Sequence, residues 1–414
     1  MARVRSRLPF HIAAPMLGTL AAVLTGCQIG PGTLPVSSAH YSDAVRTAQS
    51  EQILVNLVRL RYRDQPVFLE VSSISTQFEI GASASVNGSV VESGPDTLGL
   101  GGAAQYAERP TITFGIMGGD KFERDMLEPV SINTIALLAE SGWRVDRVLR
   151  LTVESLNGLR HASSASGPTP SAAPEYEDFL EAVALLQDLA NRGLIEFEFE
   201  LRNKVFSDPI PRTQLSGEDL IVAAREGIEF KRAGSGEDYQ PVLEERQLVL
   251  RVRNGAEGDP DLERLRTLLA LDPQLTRYEV VSRDDAEVDT FDARSNLSQI
   301  ILDTRSLQGI LYFLSQGVLP PMRDLDRGVV TDTRAEDGSR FNWDSLLSGL
   351  FAISCSDTRP GNAAVATRHR GAWFFIADDD ESSKSTFLLL RHLFTLQSGE
   401  RPAIKPVLTL PVGR

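Results

Sequence analysis

The stretch Ser73–Val90, "SISTQFEIGASASVNGSV", decides the fold because its side chains alternate in character along nearly its whole length. From Ile74 onward the even positions are mostly apolar or small, whereas the odd positions are polar or glycine. A period of two is typical of a β-strand with one face towards apolar surroundings and the other towards water. The alternation continues for about 17 residues, far beyond the roughly 5–6 residues of an ordinary strand.

A second run with the same alternation follows and ends at Ile116. The segment between the two runs, Glu92–Thr97 (ESGPDT), is rich in turn-forming residues. The only charged side chains between Ile80 and Gln105 lie in this turn segment. The sequence therefore predicts one long β-hairpin over residues 74–116, with its few central charges at the tip.

The hairpin has two interpretations. It is either a long hairpin or flap in water, or a membrane element with its apolar face towards lipid and its polar face towards a lumen. A single hairpin cannot enter lipid alone, because its open edges leave backbone groups unpaired. The second interpretation therefore requires several chains, which together form an oligomeric outer-membrane pore. The small size of the apolar side chains favours the first interpretation.

Helices and strands are mixed in the remaining sequence without a regular βαβ period, which indicates an α+β fold with antiparallel strands. Helical periodicity or capping residues predict helices over residues 41–64, 119–129, 131–142, 145–159, 176–193, 259–271, 296–318 and 383–399. Apolar runs or alternation predict strands over residues 194–206, 228–231, 247–252, 278–282, 371–378 and 404–410. The Ser/Ala/Pro-rich segment 161–175 is predicted to be a linker or loop that separates region 41–160 from an α+β domain over 176–414.

The chain begins with a short basic region that contains Arg3, Arg5 and Arg7 and no acidic residue. An apolar run follows and ends in "LTGC", Leu24–Cys27. This run is too short for a membrane-spanning helix, which needs roughly 20 residues, but it suits the apolar region of a secretory signal.

The LTGC motif resembles the lipobox of bacterial lipoproteins. The resemblance implies a signal peptide over 1–26, a diacylglyceryl and acyl modification of Cys27, and a flexible tether over 27–40. Gln28 in place of aspartate implies sorting to the periplasmic face of the outer membrane. The segments Arg305–Pro321 and His369–Gly399 resemble conserved cores of a family of proteobacterial lipoproteins, but this resemblance implies no activity.

The composition argues against a nucleic-acid partner. The net charge is −14 at pH 7, and removal of the three signal-peptide arginines would make it −17. Nucleic acids require a basic surface, so we expect no nucleic-acid partner. We expect no cofactor either. Lipidation of Cys27 would leave Cys355 as the single free cysteine, so no disulfide is expected within the chain.

The candidate chemical sites are few. The acidic run Asp378, Asp379, Asp380 and Glu381 suits either Ca²⁺ or the N-terminus of the helix that follows, and we favour helix capping. No catalytic residue is predicted. The other residues of types that carry chemistry are the free cysteine Cys355, the histidines His40, His161, His369 and His392, and the glycine-rich run Gly99–Ala104. The run Gly99–Ala104 lacks the lysine of a phosphate-binding loop, and the histidines lack the spacing of a zinc site.

These observations favour a non-enzymatic, acyl-anchored lipoprotein of the outer membrane that serves an envelope assembly. Its expected partners are the membrane, through the lipid anchor, and either an envelope protein or further copies of itself. The alternatives are the oligomeric outer-membrane pore built from the hairpin and an envelope enzyme with a site near residues 378–381.

Overall fold

The computed structural model describes residues 29–89, 97–168, 170, 172–205, 207–233, 238–286 and 298–397. The chain divides into two compact units, Met1–Ile53 and Leu54–Arg414. Residues 1–28 lie outside the described ranges, so the structure gives no information on the predicted signal peptide or on Cys27. The predicted strand over 404–410 also lies outside them.

The helices of the described residues are α1 (Ile29–Arg61), α2 (Asp120–Leu127), α3 (Ile132–Glu140), α4 (Val145–Thr152), α5 (Glu177–Asn191), α6 (Gly217–Arg225), α7 (Pro260–Leu268), α8 (Leu307–Ser315), α9 (Met322–Asp326), α10 (Asp344–Leu347) and α11 (Glu381–Gln397). The strands are β1 (Leu69–Ser89), β2 (Thr97–Ile116), β3 (Val153–Leu156), β4 (Leu159–Arg160), β5 (Ile195–Val205), β6 (Ile210–Pro211), β7 (Ile228–Arg232), β8 (Asp238–Val252), β9 (Arg277–Ser282), β10 (Gln299–Thr304), β11 (Ser354–Ser356), β12 (Ala363–His369) and β13 (Ala372–Ala377).

The strands form three sheets, all in the second unit. β1 and β2 form a two-stranded sheet, and β11, β13 and β12 form a three-stranded sheet in that order. The central sheet has the order β4-β3-β10-β9-β8-β5, and β6 and β7 also pair with β8. Its pairs are antiparallel except for β9 and β10, which are parallel. The predicted α+β fold with a long N-terminal β-hairpin is therefore confirmed.

The core of the second unit lies where helices α3, α4 and α5 cover one face of the central sheet. A small enclosed space between these elements is lined entirely by apolar side chains, which include Val148 and Leu186 from the helices and Leu248, Val280 and Leu302 from the strands. The last turns of α1 also bury apolar side chains, among them Leu54, Leu57 and Val58, each fully buried. Burial of these apolar groups stabilises the fold by removing their surface from water.

Two predicted helices are only partly helical. The segment 296–318 contains β10 and, after a break, α8. The Ser306 side chain caps the first turn of α8 by accepting a hydrogen bond from the backbone N–H of Gly309 at 3.1 Å. The segment 145–159 contains α4 followed by β3. In both cases the sheet pairing of an apolar run overrides its helical pattern.

The Ser/Ala/Pro-rich segment 161–175 does not separate two domains, because Leu54–Arg414 forms one compact unit. Its first part is packed into the protein, with His161, Ala162 and Ala165 all buried. Arg305, also fully buried, donates hydrogen bonds to the carbonyl oxygens of His161 and Val153 and to the Ser166 hydroxyl. These bonds hold the segment in place, so the predicted domain boundary is corrected.

Candidate functional site: the β-ribbon

Strands β1 and β2 form a long antiparallel ribbon, defined here as residues 69–89 and 97–116. Its pairing runs from Leu69 opposite Ile116 to Ser89 opposite Thr97, with one irregularity between Val71 and Ser73. Strands of this length extend for about 65–70 Å at roughly 3.4 Å per residue. The ribbon is therefore the longest sheet structure in the described part of the chain.

The register separates the ribbon into an apolar and a polar face. Residues directly opposite each other in an antiparallel pair share a face. Ile74 lies opposite Ile112, and Ala82 lies opposite Ala104, which combines apolar positions from both strands. On the other face Ser75 lies opposite Thr111. The even-odd pattern predicted from the sequence of each strand is thus matched across the pair.

A β-bulge near the base keeps the apolar face continuous. Val71 pairs with Phe114 and Ser73 pairs with Thr113, so Ser72 is an extra residue without an opposite partner. In β1 the apolar positions are odd before this point, at Leu69 and Val71, and even after it. Because a shift of one residue exchanges the faces of a strand, the bulge restores the apolar side chains to a common face.

In the described part of the chain, no third strand pairs with β1 or β2. On the polar face Ser83, Ser85 and Gln105 are exposed. At the base, apolar side chains are exposed as well: Phe114 retains 50% and Ile116 retains 80% of its accessible surface. A two-stranded sheet is marginally stable in water, and an open edge is a template for pairing with another chain.

The glycine-rich run Gly99–Ala104 lies inside β2. Its residues pair with β1, for example Gly102 with Ala84 and Gly101 with Ser85. A phosphate-binding loop would instead connect a strand to a helix N-terminus. The run is therefore part of the ribbon, and its small residues make that end of the ribbon thin.

The acidic run before α11 has the geometry of a helix cap. The Asp380 carboxylate accepts hydrogen bonds from the Ser383 backbone N–H at 2.9 Å and from its hydroxyl at 2.6 Å. Asp378 pairs with Lys384 at 3.2 Å, and Glu381 is the first residue of α11. Within the described ranges, no group of three or more His, Cys, Asp or Glu side chains is arranged to hold a metal ion.

Cys355 is poorly suited to act as a nucleophile. It is half-buried in β11, and burial, with a smaller contribution from the charge of Asp357, raises the pKa of its thiol. The reactive form of cysteine is the thiolate, so a raised pKa disfavours reaction. His369 lies in β12, and β13 separates that strand from β11. His392 packs edge-on against Trp143, with ring centroids 5.7 Å apart.

His369 instead belongs to a polar cluster that attaches the end of α1 to the three-stranded sheet. Its Nε2 lies 3.2 Å from an Asp64 carboxylate oxygen, and Arg370 donates to both oxygens of that carboxylate. Burial lowers the pKa of His369, although the hydrogen bond with Asp64 opposes this shift. The neighbouring Tyr62 donates a 2.7 Å hydrogen bond to Asp324, which is buried.

The other two histidines also have structural positions. His40 lies within α1. The fully buried His161 ring stacks on Phe179 with centroids 4.2 Å apart, and burial, reinforced by the charge of Arg305, holds its pKa well below the usual range. The surroundings of His161 and His369 depend on tertiary contacts, which the sequence alone does not reveal.

Comparison of the chain with protein-family models, with curated proteins and with solved structures gave no match. Among the helices of the described residues, none is both long and apolar enough to cross a membrane.

Proposed function

We propose that this protein is a lipid-anchored, non-enzymatic component of an outer-membrane assembly, and that the ribbon joins several copies of it. The observation that carries the proposal is the ribbon itself, a two-stranded sheet with opposite faces of different polarity, to which no other strand of the described residues is added. The LTGC motif at Cys27 supports the anchor. The buried position of His161, the hydrogen bond of His369 with Asp64, the raised pKa of the Cys355 thiol and the capping role of Asp380 support a function other than catalysis.

Further copies of the chain are the partners that fit the ribbon best. The open edge of β1 in one copy and the open edge of β2 in the next can form the same antiparallel ladder that β1 and β2 form within a copy. The apolar faces would then join into one continuous surface. Such an edge-to-edge contact joins different surfaces of the two copies, so it repeats and closes into a ring when the rotation permits.

The absence of charge along the far half of the ribbon favours a second candidate, in which the ring inserts into lipid as an oligomeric pore. In that arrangement the apolar face, with Ala84, contacts lipid, and the polar face, with Ser83, lines the lumen. A charged side chain on the lipid side costs about 2–4 kcal/mol near the midplane, whereas one on the lumen side is tolerated.

A shortened ribbon tests the assembly. Ile74 lies opposite Ile112, so replacement of residues 75–111 by Asn-Gly closes the ribbon at that pair with a favourable turn. We expect the detergent-extracted full-length protein to be an oligomer by light scattering, and the shortened protein to be a monomer with an unchanged thermal transition of the remaining unit. A full-length protein that is monomeric in detergent would contradict the proposal.

Cysteine labelling in intact membranes distinguishes the pore from an assembly in water. Single cysteines at positions 82–89 are introduced in a Cys355→Ser background and treated with a polar and an apolar thiol reagent. A pore requires that the polar reagent labels only the odd positions. Uniform labelling by the polar reagent excludes the pore and leaves the ring in water.

A further inference from the structure

A cleft of about 550 Å³ opens at the base of the ribbon, between the end of β2, helix α2 and helix α8. Among its apolar lining residues, Phe68, Met126 and Leu311 are buried. The charged and amide side chains that line the same cleft are Arg63, Asp64, Gln65, Glu123 and Gln308. Clefts that bind small molecules have volumes of roughly 300–1,000 Å³. The mixed lining suits a ligand with an apolar body and a polar head.

Arg63, one of these lining residues, has a backbone conformation that arginine rarely adopts. Its φ angle is +61°, in the left-handed region. The N–H groups of Arg63 and Asp64 donate to the carbonyl oxygens of Leu60 and Arg59 at 3.0 and 2.8 Å, which is the pattern of a Schellman motif at the end of α1. Glycine is usual at the left-handed position of this motif, so the arginine carries a backbone cost. Such a cost beside a cleft indicates a use for the side chain.

The cleft presents one cation and one anion that other side chains leave available. The Arg63 Nε donates a 3.2 Å hydrogen bond to the Thr331 hydroxyl, which orients the guanidinium, but no acidic side chain of the described residues pairs with it. Glu123 likewise forms no ion pair in the described part of the chain. The third charged lining residue, Asp64, is already paired with Arg370 at 2.9 Å. Arg63 and Glu123 are both exposed, so a ligand can reach them.

We propose that the cleft binds a zwitterionic phospholipid with a single acyl chain. Its phosphate contacts Arg63, its primary amine contacts Glu123, and its chain lies against the apolar lining, where methionine side chains adapt to its shape. A guanidinium donates charge-assisted hydrogen bonds to a phosphate, and an ammonium donates them to a carboxylate. A head group with only a negative charge would leave Glu123 unmatched. The inference goes beyond the proposed function and does not depend on the assembly of the ribbons.

Native mass spectrometry of the detergent-extracted full-length protein tests the site with three added compounds. We expect lysophosphatidylethanolamine to bind at the lowest concentration. Lysophosphatidylglycerol, which lacks the amine, should bind more weakly, and phosphoethanolamine, which lacks the chain, should not bind at the same concentrations. Equal binding of the two lysophospholipids would overturn the proposal, and so would equal binding of phosphoethanolamine, because the amine or the chain would then contribute nothing.

Arg63→Gly separates a ligand-binding role of the arginine from a structural role. Glycine suits a φ angle of +61°, so the thermal transition should not fall. The concentration of lysophosphatidylethanolamine at half-saturation should rise at least about tenfold, because the phosphate loses its charge-assisted hydrogen bonds. Arg124→Gln is the control, since Arg124 is exposed on α2 and does not line the cleft. Equal binding by the wild type and Arg63→Gly would overturn the proposal.

Glu123→Gln tests the amine contact independently of the backbone at Arg63. Glu123 lies in the first turn of α2, where an acidic side chain also interacts favourably with the helix dipole. The readout is therefore the preference for lysophosphatidylethanolamine over lysophosphatidylglycerol, which a purely structural role would not change. We expect this preference to disappear in Glu123→Gln and to persist in Arg124→Gln. A preference that persists in Glu123→Gln would overturn the proposal.

Discussion

Substitution of Asp380 by alanine tests whether the acidic run before α11 is a helix cap. The carboxylate accepts two hydrogen bonds from Ser383, one from the backbone N–H and one from the hydroxyl. The Ser383 side chain is almost completely buried and accepts a further hydrogen bond from the Ala352 N–H at 2.8 Å. Asp380 thus fixes a hydroxyl that joins α11 to the chain before β11.

The expected loss of stability follows from these contacts. Removal of an N-cap side chain costs about 0.5–2 kcal/mol. The buried Ser383 hydroxyl would also lose its acceptor, which costs about 1–3 kcal/mol. The two effects share one side chain and are not fully additive, so we expect Asp380→Ala to lower the free energy of unfolding by about 2–4 kcal/mol.

Urea denaturation at pH 7 measures this loss against two controls. Asp380→Ser keeps an oxygen that can cap the helix, so it should lose less stability than Asp380→Ala. Asp379→Ala makes the same change of charge at an exposed position, and it should alter stability by no more than about 0.5 kcal/mol. Equal losses for Asp379→Ala and Asp380→Ala would refute the capping argument. A stabilisation by Ca²⁺ that disappears in Asp379→Ala would show a cation site instead.

Three further outcomes are expected. Cys27→Ala should release the protein from membranes and abolish the mass increase of acylation; membrane fractionation and mass spectrometry check this, and unchanged fractionation would exclude the lipid anchor. Tyr62→Phe should cost about 1–3 kcal/mol in urea denaturation, because it removes the phenol hydrogen bond from the buried Asp324; a change below about 0.5 kcal/mol would contradict this. Because burial lowers the pKa of His161, its stabilising contribution is present above about pH 6.5 and is lost as the pH falls, when the unfolded chain binds a proton there. The stability difference between wild type and His161→Phe should therefore change by up to about 1.4 kcal/mol per pH unit below that pH, and parallel pH profiles would contradict it.

The ribbon was predictable because its signal is local and long. Period-two alternation over both strands determines which side chains share a face, and the turn-rich segment between them determines that the strands pair. The bulge at Ser72 was not predicted, although the sequence carries its signal. Apolar residues occupy odd positions at Leu69 and Val71 and even positions from Ile74 onward, and such a change of phase indicates one extra residue.

The prediction of one helix over residues 296–318 was wrong because part of this segment is a strand. β10 pairs with β9 on one side and with β3 on the other, and none of its residues is exposed. A strand of this kind has no polar face and hence no alternation, so its short apolar run cannot be distinguished from a helix by pattern. The N-cap residue Ser306, inside the predicted helix, is the local signal that a new element begins there.

The contacts that determine the roles of the polar residues lie far apart in the sequence. Tyr62 reaches Asp324 across 262 residues, and Asp64 reaches His369 and Arg370 across 305 and 306 residues. No spacing rule connects such positions in a single sequence. The sequence could therefore indicate the residue types of these clusters but not their partners. His161, for example, was predicted to lie in a linker or loop, but it is fully buried and bonded to Arg305.

The small side chains of the ribbon link its ordered structure to assembly with a neighbouring copy. Ordering the backbone of one residue costs about 1–2 kcal/mol, and glycine loses the most conformational freedom. Near the pair Ala84 and Gly102 the side chains are too small to offset this cost by burial of apolar surface. Among the described strands, β1 and β2 form a hydrogen-bond ladder only with each other. In the half of the ribbon beyond Ile80, a neighbouring copy would supply the second ladder and cover no charged side chain, since none lies between Ile80 and the tip. Amide hydrogen exchange in residues 80–89 should therefore be slow in the oligomer and fast in the monomer, and equally slow exchange in both would mean that the ribbon needs no partner.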